Sequence, residues 1–264
     1  MHPISAVIIT RNEKENIGKC LAAVHQVAEE IIIVDSLSTD NTIEIAKGFG
    51  AKIFSSEWKG FGPQKNLGLA HATYNYVLAL DADEVLTTEA IDEIKYLKLN
   101  GLKGVYEFPL LNFYFGKFLK HGLEYPNYKK RLFDKTKVWW NENFVHESLI
   151  LPDGYPVLRL QGHIEHYSYT SIQHYITKAN SYTTIGAADL KKKSKKNYLF
   201  KMLFSPGFVF INSYFLKKGF LDGVHGFITA SFNAHTNFLK YAKLWELYSK
   251  EKNSGSGNSS AINE

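Results

Sequence analysis

The stretch Tyr76-Val-Leu-Ala-Leu-Asp-Ala-Asp-Glu84 decides how this chain is read. Val77 to Leu80 is a short apolar run, as expected of a strand buried on both faces. It ends in Asp81-Ala82-Asp83-Glu84. Residues two apart on an extended chain point the same way, so Asp81 and Asp83 project together from the strand's end. Two such carboxylates make a hard-oxygen site suited to Mg²⁺ or Mn²⁺, with positions left for phosphate oxygens. A solvated acidic loop is the alternative, because D-x-D alone is a short pattern.

The segments before this stretch repeat its arrangement. Ser5 to Thr10 reads as a buried strand, followed by the polar loop Arg11-Asn12-Glu13. Glu15 to Glu30 carries Ile17, Leu21 and Val24 at helical spacing. Ile31 to Val34 is a second strand and ends in Asp35-Ser36. Ser38-Thr39-Asp40-Asn41 offers N-cap residues for a helix over Thr42 to Phe49. Ala51 to Phe54 is a third strand, and Pro63 opens a helix to about Ala72. This alternation predicts an α/β fold with a mostly parallel sheet, right-handed crossovers and flanking helices. Ligands of such sheets bind beyond the carboxyl ends of the strands. Asn12 and Glu13, Asp35 and Ser36, and Asp81 and Asp83 all fall there. No G-x-G-x-x-G follows the first strand and no Walker loop occurs, so a nucleotide at this edge is held by carboxylates and a metal.

The pattern changes after a helix over Thr88 to Leu99. Val105 to Phe118 is rich in aromatic residues, read as core or as rings that stack on an acceptor. Lys129 to Asp134 and Val138 to Trp140 read as paired strands joined by Asp134-Lys-Thr-Lys137. Arg131 either meets a phosphate or pairs with Asp134. His163 and His166 either ligate a metal or satisfy core hydrogen bonds. From Ser171 to Lys250 the helical period dominates, and the Ser/Gly/Asn-rich end from Asn253 is expected to be disordered.

Composition bounds the class. The 264 residues are 45% hydrophobic and 22% charged, an ordinary globular balance. A single cysteine, Cys20, excludes an internal disulfide and sits in an apolar helical pattern, as a core residue does. The net charge of +5 is local, gathered in Lys191-Lys192-Lys193, Lys195-Lys196 and Lys217-Lys218. Beside Tyr198-Leu-Phe200 and Met202-Leu-Phe204 this is the composition of a helix lying in a membrane interface. Lysines solvated over packed helices are the alternative. No nucleic-acid motif accompanies the charge, so no nucleic-acid partner is expected. Leu203 to Leu216 is interrupted by Ser205-Pro206-Gly207 and Asn212-Ser213 and reads as short of a membrane span. With no signal-peptide pattern at the N-terminus, a cytoplasmic protein is expected, peripheral on the inner face of the inner membrane.

Val7-Ile-Ile-Thr-Arg-Asn-Glu13, Ile32-Ile-Val-Asp-Ser36 with Ser38-Thr-Asp-Asn-Thr42, Gln64-Lys65-Asn66-x-Gly68 and Leu80-Asp-Ala-Asp-Glu84 together resemble glycosyltransferase family 2. These are inverting enzymes of the GT-A fold. Arg131-Leu-Phe133, Val145-His-Glu147, His166-Tyr-Ser-Tyr169 and Gly219-Phe-Leu-Asp-Gly223 resemble the bacterial branch that holds lipopolysaccharide core β-1,4-glucosyltransferases. The resemblance implies that Glu13 and Asp35 contact uridine, and that Asp81 and Asp83 hold a divalent metal and the diphosphate of a UDP-linked donor. It places Lys65 in a stretch that borders the nucleotide. It leaves two candidates for the base, Glu147 and His146, of which Glu147 is preferred. The base should face the metal across the donor sugar.

The expected organisation is a GT-A domain over 1–168, with a nucleotide-sugar half over 1–100 and an acceptor half over 101–168. A basic helical extension over 169–250 and a disordered tail over 251–264 follow. The expected activity is metal-dependent transfer of one sugar, glucose from UDP-glucose, to a lipopolysaccharide-core or other cell-envelope glycolipid. A sugar nucleotidyltransferase and a non-catalytic nucleotide-sugar binder are the competing readings.

Overall fold

The computed structural model describes residues 2–142, 147–194 and 197–256. Its elements begin with β1 (Ile4–Thr10), α1 (Ile17–Val24), β2 (Glu30–Asp35), α2 (Thr42–Gly48), β3 (Lys52–Ser55), α3 (Phe61–His71) and β4 (Tyr76–Asp81). They continue with β5 (Glu84–Leu86), α4 (Thr88–Asn100), β6 (Val105–Tyr114), β7 (Lys117–Phe118), β8 (Asn127–Asp134), β9 (Trp139–Trp140) and β10 (Leu149–Ile150). The last are β11 (Val157–Arg159), β12 (Ile164–Tyr169), α5 (Ile172–Lys192), α6 (Tyr198–Ile211) and α7 (Val224–Ser256). Two compact units share these elements, residues 1–112 with 126–168, and residues 113–125 with 169–264. The segment 113–125, expected in the acceptor half, therefore belongs with the C-terminal helices.

In the first unit every residue of β1 and β2 is buried. This explains why these strands read as unbroken apolar runs: helices cover both faces of a parallel sheet. β1 lies between β2 and β4, and β2 carries β3 on its other side, all parallel. Beyond β4 the sheet turns antiparallel, since β8 pairs with β4 and β6 with β8. The sheet is thus mixed, with its parallel block at the N-terminal half. Gly68 on α3 sets the spacing of helix and sheet: a Cβ there would lie 2.2 Å from Val7 Cγ1. At the opposite edge, where the strands begin, buried Glu30 accepts from Ser5 Oγ, Lys52 Nζ (2.6 Å) and both the N–H and hydroxyl of Thr73 (2.8 and 2.7 Å).

Two sequence expectations in this unit are corrected. The first helix ends at Val24, not Glu30. Glu29 is drawn into the sheet, its N–H donating to Ile4 O and its carboxylate accepting from Ile4 N. The predicted hairpin of Lys129–Asp134 with Val138–Trp140 does not form. Both edges of β8 are occupied by β4 and β6, so β9 pairs with β10 instead. The turn at Asp134 is present, its carboxylate accepting from the N–H and hydroxyl of Thr136.

The second unit is helical. Tyr114, Tyr175 and Phe232 make its first core, with Tyr175 stacked on Phe232 at 4.5 Å. The Gly219-to-Gly223 motif is structural. Buried Asp222 accepts from the N–H groups of Lys120 (3.1 Å) and His121 (2.9 Å), and a Cβ on Gly226 would lie 1.8 Å from Gly219 O. Two more expectations change here. Pro206 removes one backbone donor but does not stop α6, which continues as a π turn over Asn212–Leu216. Tyr198–Leu216 is thus one stretch, long and apolar enough by length and composition to cross a membrane. The last helix runs to Ser256, past the point where the tail was expected to begin. Extending an existing helix costs far less than nucleating one, and Glu246 pairs with Lys250 at 2.7 Å near its end. Residues 257–264 lie outside the described residues.

Candidate active site

The carboxyl ends of the parallel strands gather the polar residues singled out from sequence. The loop after β1 is stitched to the loop after β2. Asn12, at φ 54°, accepts from Thr39 N through Oδ1 (2.8 Å) and donates its own N–H to Ser38 Oγ (2.9 Å). Glu13 N donates to Thr42 Oγ1 (2.8 Å), and Glu13 Oε2 accepts from Asn16 (2.8 Å). Asp40, not Asn41, serves the start of α2, accepting from Thr42 N at 3.0 Å. The Ser38-to-Thr42 segment therefore braces the edge, and the Asn12 side chain is spent on that bracing. Asp35 is buried and accepts from Ser38 N (3.0 Å) and Ser38 Oγ. Ser36 beside it and Thr10 at the end of β1 are buried with hydroxyls that have no partner. Buried polar groups are almost always paired, so two hydroxyls without a protein partner set this strand edge apart from the rest of the core.

Asp81 and Asp83 part company. Asp81 lies between two buried cations, with Oδ1 3.1 Å from Lys65 Nζ and Oδ2 3.1 Å from Arg131 Nη2. Burial favours its neutral acid, but Lys65 and Arg131 outweigh burial and hold Asp81 well below the usual carboxylate range. Arg131 arrives on β8, the antiparallel strand beside β4. It also pairs with Glu84, which is 1% exposed and accepts from Asp81 N. Arg131 thus meets Asp81 and Glu84, while Asp134 turns to Thr136. Burial opposes the Arg131 charge, yet Glu84 and Asp81 raise its pKa further. Its Nε is buried without a partner.

Lys65 is the centre of this edge. It is 1% exposed, sits 4.8 Å from the Trp140 ring centroid, and its Nζ lies 2.8 Å from Glu147 Oε1 as well as beside Asp81. The candidate base and the strand-end aspartate share one ammonium. They do not face each other across a sugar-sized gap, as the sequence reading expected. Each residue of the Gln64-Lys65-Asn66-x-Gly68 motif now has a physical task. Gln64 donates to Glu57 O (2.7 Å) and leaves its Oε1 buried and unpaired. Asn66 clamps the backbone of Trp140, donating to its carbonyl (2.8 Å) and accepting from its N–H (3.0 Å). A cavity of about 410 Å³ lined by Ser56, Lys59, Gln64, Asn66 and Glu142 opens at this end of α3. His146 lies outside the described residues.

Asp83 faces His166. The β12–β5 pairing sets His166 opposite Glu84, and Tyr167 N donates to Asp83 O (2.9 Å). His166 Nε2 then lies 3.4 Å from Asp83 Oδ2, while Nδ1 lies 2.8 Å from Asn112 Oδ1. Burial would lower the His166 pKa, but the charge and hydrogen bond of Asp83 raise it. The residues fit a divalent ion as a pair. Two ligands at adjacent positions on one such ion stand roughly 3 Å apart. An Nδ1 turned to an amide oxygen leaves Nε2 as the ligand atom. Among the described residues no group of three or more His, Cys, Asp or Glu converges to hold a metal. Asp81, expected to complete the set, is occupied by its two cations. Cys20 is buried beneath this edge; burial, then Glu84, Asp83 and Asp81, raise its pKa, as befits a core residue.

The residues that sequence reasoning missed are Thr10, Glu84, Gln64, Trp140 and Asn112. Glu84 and Gln64 stood inside quoted motifs, where a charged or amide residue in an otherwise buried element was the available signal. Thr10 also stood inside a quoted motif and Trp140 at the end of a predicted strand, but only as strand residues, and nothing local marked Asn112.

The model of Glycosyl transferase family 2 matches residues 5–149. An uncharacterized glycosyltransferase of Rickettsia typhi is 33% identical over 263 residues, covering 96% of this chain and 90% of that protein. The lipopolysaccharide core biosynthesis glycosyltransferase LpsC of Rhizobium meliloti is 28% identical over 254 residues, covering 92% of each. The solved structure of S. aureus TarS 1-349 aligns over 94% of this chain and 92% of that one, with a TM-score of 0.46 at 13% identity. The strand-end carboxylates, the buried cations that hold them and the family match over more than half the chain lead to one conclusion: this chain belongs to glycosyl transferase family 2.

Proposed function

We propose that the chain transfers a single sugar, glucose from UDP-glucose, with inversion and metal dependence, to a lipopolysaccharide-core or other cell-envelope glycolipid. The reaction takes place at the cytoplasmic face of the inner membrane. The likeness to a lipopolysaccharide core biosynthesis glycosyltransferase supports the acceptor class. The observation that carries the reading is the buried edge itself. Thr10, Ser36 and Arg131 each keep a buried polar atom without a partner at the edge where Asp35 and Asp81 are fixed in place.

Each residue then has a task. Glu13 and Asp35 approach the uridine, with Ser36 and Thr10 as added hydroxyl partners. Asp83 and His166 would hold a divalent metal, which when bound would offset the charge of the diphosphate. Arg131 and Lys65 supply fixed positive charge beside it. A sugar hydroxyl is a poor nucleophile, so a carboxylate must take its proton as it attacks the anomeric carbon. Glu147 does so after the diphosphate engages Lys65 and frees Glu147 Oε1 from its ion pair. Lys65 is therefore the hinge between donor binding and base release. A cavity beside Gln64, with Ser56, Lys59 and Glu142 in its lining, offers a place for a hydroxyl-bearing ligand.

The test is a donor screen by thermal shift with and without Mn²⁺, followed by transfer to membrane glycolipid extracts. UDP-glucose should raise the melting temperature, and Asp83→Ala should abolish transfer without lowering the melting temperature of the free protein. Full transfer by Asp83→Ala sinks the metal assignment. Pyrophosphate release from a nucleoside triphosphate and a sugar phosphate would replace the reading with nucleotidyl transfer.

A further inference from the structure

The outward face of α6 is apolar where a solvent-facing helix should be polar. Phe200, Phe204, Phe208, Ile211 and Phe215 fall at helical spacing and are 65, 61, 63, 50 and 55% exposed. The opposite face is already used: Tyr198 stacks on Tyr248 of α7 at 5.1 Å, and Phe210 meets Phe227 at 5.8 Å. The stripe is therefore a second apolar face, larger than scattered exposed side chains account for. The chain segment that carries it is of one sign, although Glu251 of α7 pairs with Lys191 at 2.6 Å and Glu246 with Lys250 at 2.7 Å. Eight lysines and no Asp or Glu stand between Asp189 and Asp222, and the Asp222 carboxylate is buried within the fold.

We propose that the exposed stripe of α6 inserts, parallel to the surface, into one leaflet of an anionic phospholipid membrane, with its flanking lysines at the headgroups. This deepens the membrane placement proposed above and rests on that reading. The charge decides between occupants. A second copy of the chain would set the exposed Lys192, Lys193, Lys217 and Lys218 against their own kind, whereas an anionic headgroup layer complements them. The packing decides the orientation. α6 runs antiparallel along α7, so a spanning α6 would carry Asn233, Asn237, Lys240 and Lys243 of that helix into hydrocarbon, at several kcal/mol for the charged groups alone. An in-plane helix buries only its outer face and lets the lysine stems reach the headgroups.

The full chain should float with vesicles of phosphatidylcholine mixed with phosphatidylglycerol, far better than with phosphatidylcholine alone, and less well as salt is raised. Phe204→Asp with Phe208→Asp should reduce binding at least tenfold. If that variant does not fold, Lys192→Glu, Lys193→Glu and Lys217→Glu, all on exposed side chains, should each weaken binding roughly fivefold or more. Single cysteines at Lys193→Cys and Lys217→Cys should both react with a membrane-impermeant maleimide from the side of addition. Protection of one of them means the helix spans, and overturns the proposal. So does failure to float, or a concentration-dependent dimer that the Phe204→Asp, Phe208→Asp variant abolishes. Flotation uses neither donor nor acceptor, so its failure leaves the sugar-transfer reading standing, and loss of transfer leaves flotation untouched.

Discussion

The strand-end cluster of the first unit and the outer face of α6 in the second break the same rule in opposite directions. In the first, charged side chains are buried: Lys65 at 1%, Glu84 at 1% and Arg131 at 5% exposure. In the second, phenylalanines lie open to solvent. Folding alone rewards neither, since buried charge costs desolvation and exposed aromatic surface forgoes burial. The difference teaches where each region looks for its missing partner. The cluster holds its charges against one another and lacks only a few hydrogen bonds, as befits a small polar ligand. The helix lacks a whole apolar face, as befits an extended medium.

Substitutions sharpen that contrast. Glu147→Gln keeps the shape of the cluster but cannot take a proton, so sugar transfer should fall by roughly 10²- to 10⁴-fold, with the melting temperature within a few degrees of wild type. Retained activity moves the base elsewhere. Lys65→Met leaves Asp81 and Glu147 facing each other without their shared cation. It should destabilise the fold by roughly 3 kcal/mol in urea titrations, and adding Glu147→Gln should restore part of the loss. No rescue means that the two carboxylates are coupled more weakly than their geometry implies.

Glu30 tests the same physics away from the site. Its three partners hold its pKa near 2 against burial, below the unfolded value of 4.5. The folded pKa is the lower, so this stabilisation is present above about pH 4.5 and is lost as pH falls toward 2. Urea midpoints should show a loss of roughly 2 kcal/mol across that window, and Glu30→Gln should flatten it. The exposed helix should behave otherwise: Phe204→Ser should change stability by less than about 0.5 kcal/mol, because little of that ring is buried by folding. A large loss there would mean that the stripe belongs to the protein's own core.

The fold was legible because local pattern and global architecture agreed. β1, β2 and β4 are buried on both faces, and their polar residues begin where the strands end, so Glu13, Asp35, Asp81 and Asp83 could be found by reading along the chain. What joins those ends was not legible. Lys65 meets Glu147 across 82 positions, and Arg131 reaches Asp81 because β8 inserts antiparallel between β4 and β6. That insertion also defeats the expected hairpin, since a strand occupied on both edges cannot pair with its sequence neighbour. The pairing of His166 with Asp83 depends on β12 lying against β5, which no local signal marks. Pro206 misled for a different reason: propensity argued for a break, and packing along α7 carried the helix through.

The most direct measurement is calorimetric titration of UDP into the full chain in the presence of Mn²⁺, for wild type, Asp83→Asn and the Phe204→Asp, Phe208→Asp variant. Wild type and the α6 variant should bind alike, and Asp83→Asn should bind at least tenfold more weakly. Equal binding by Asp83→Asn, or no binding by wild type, would contradict the assignment of the strand-end cluster as the nucleotide-sugar site.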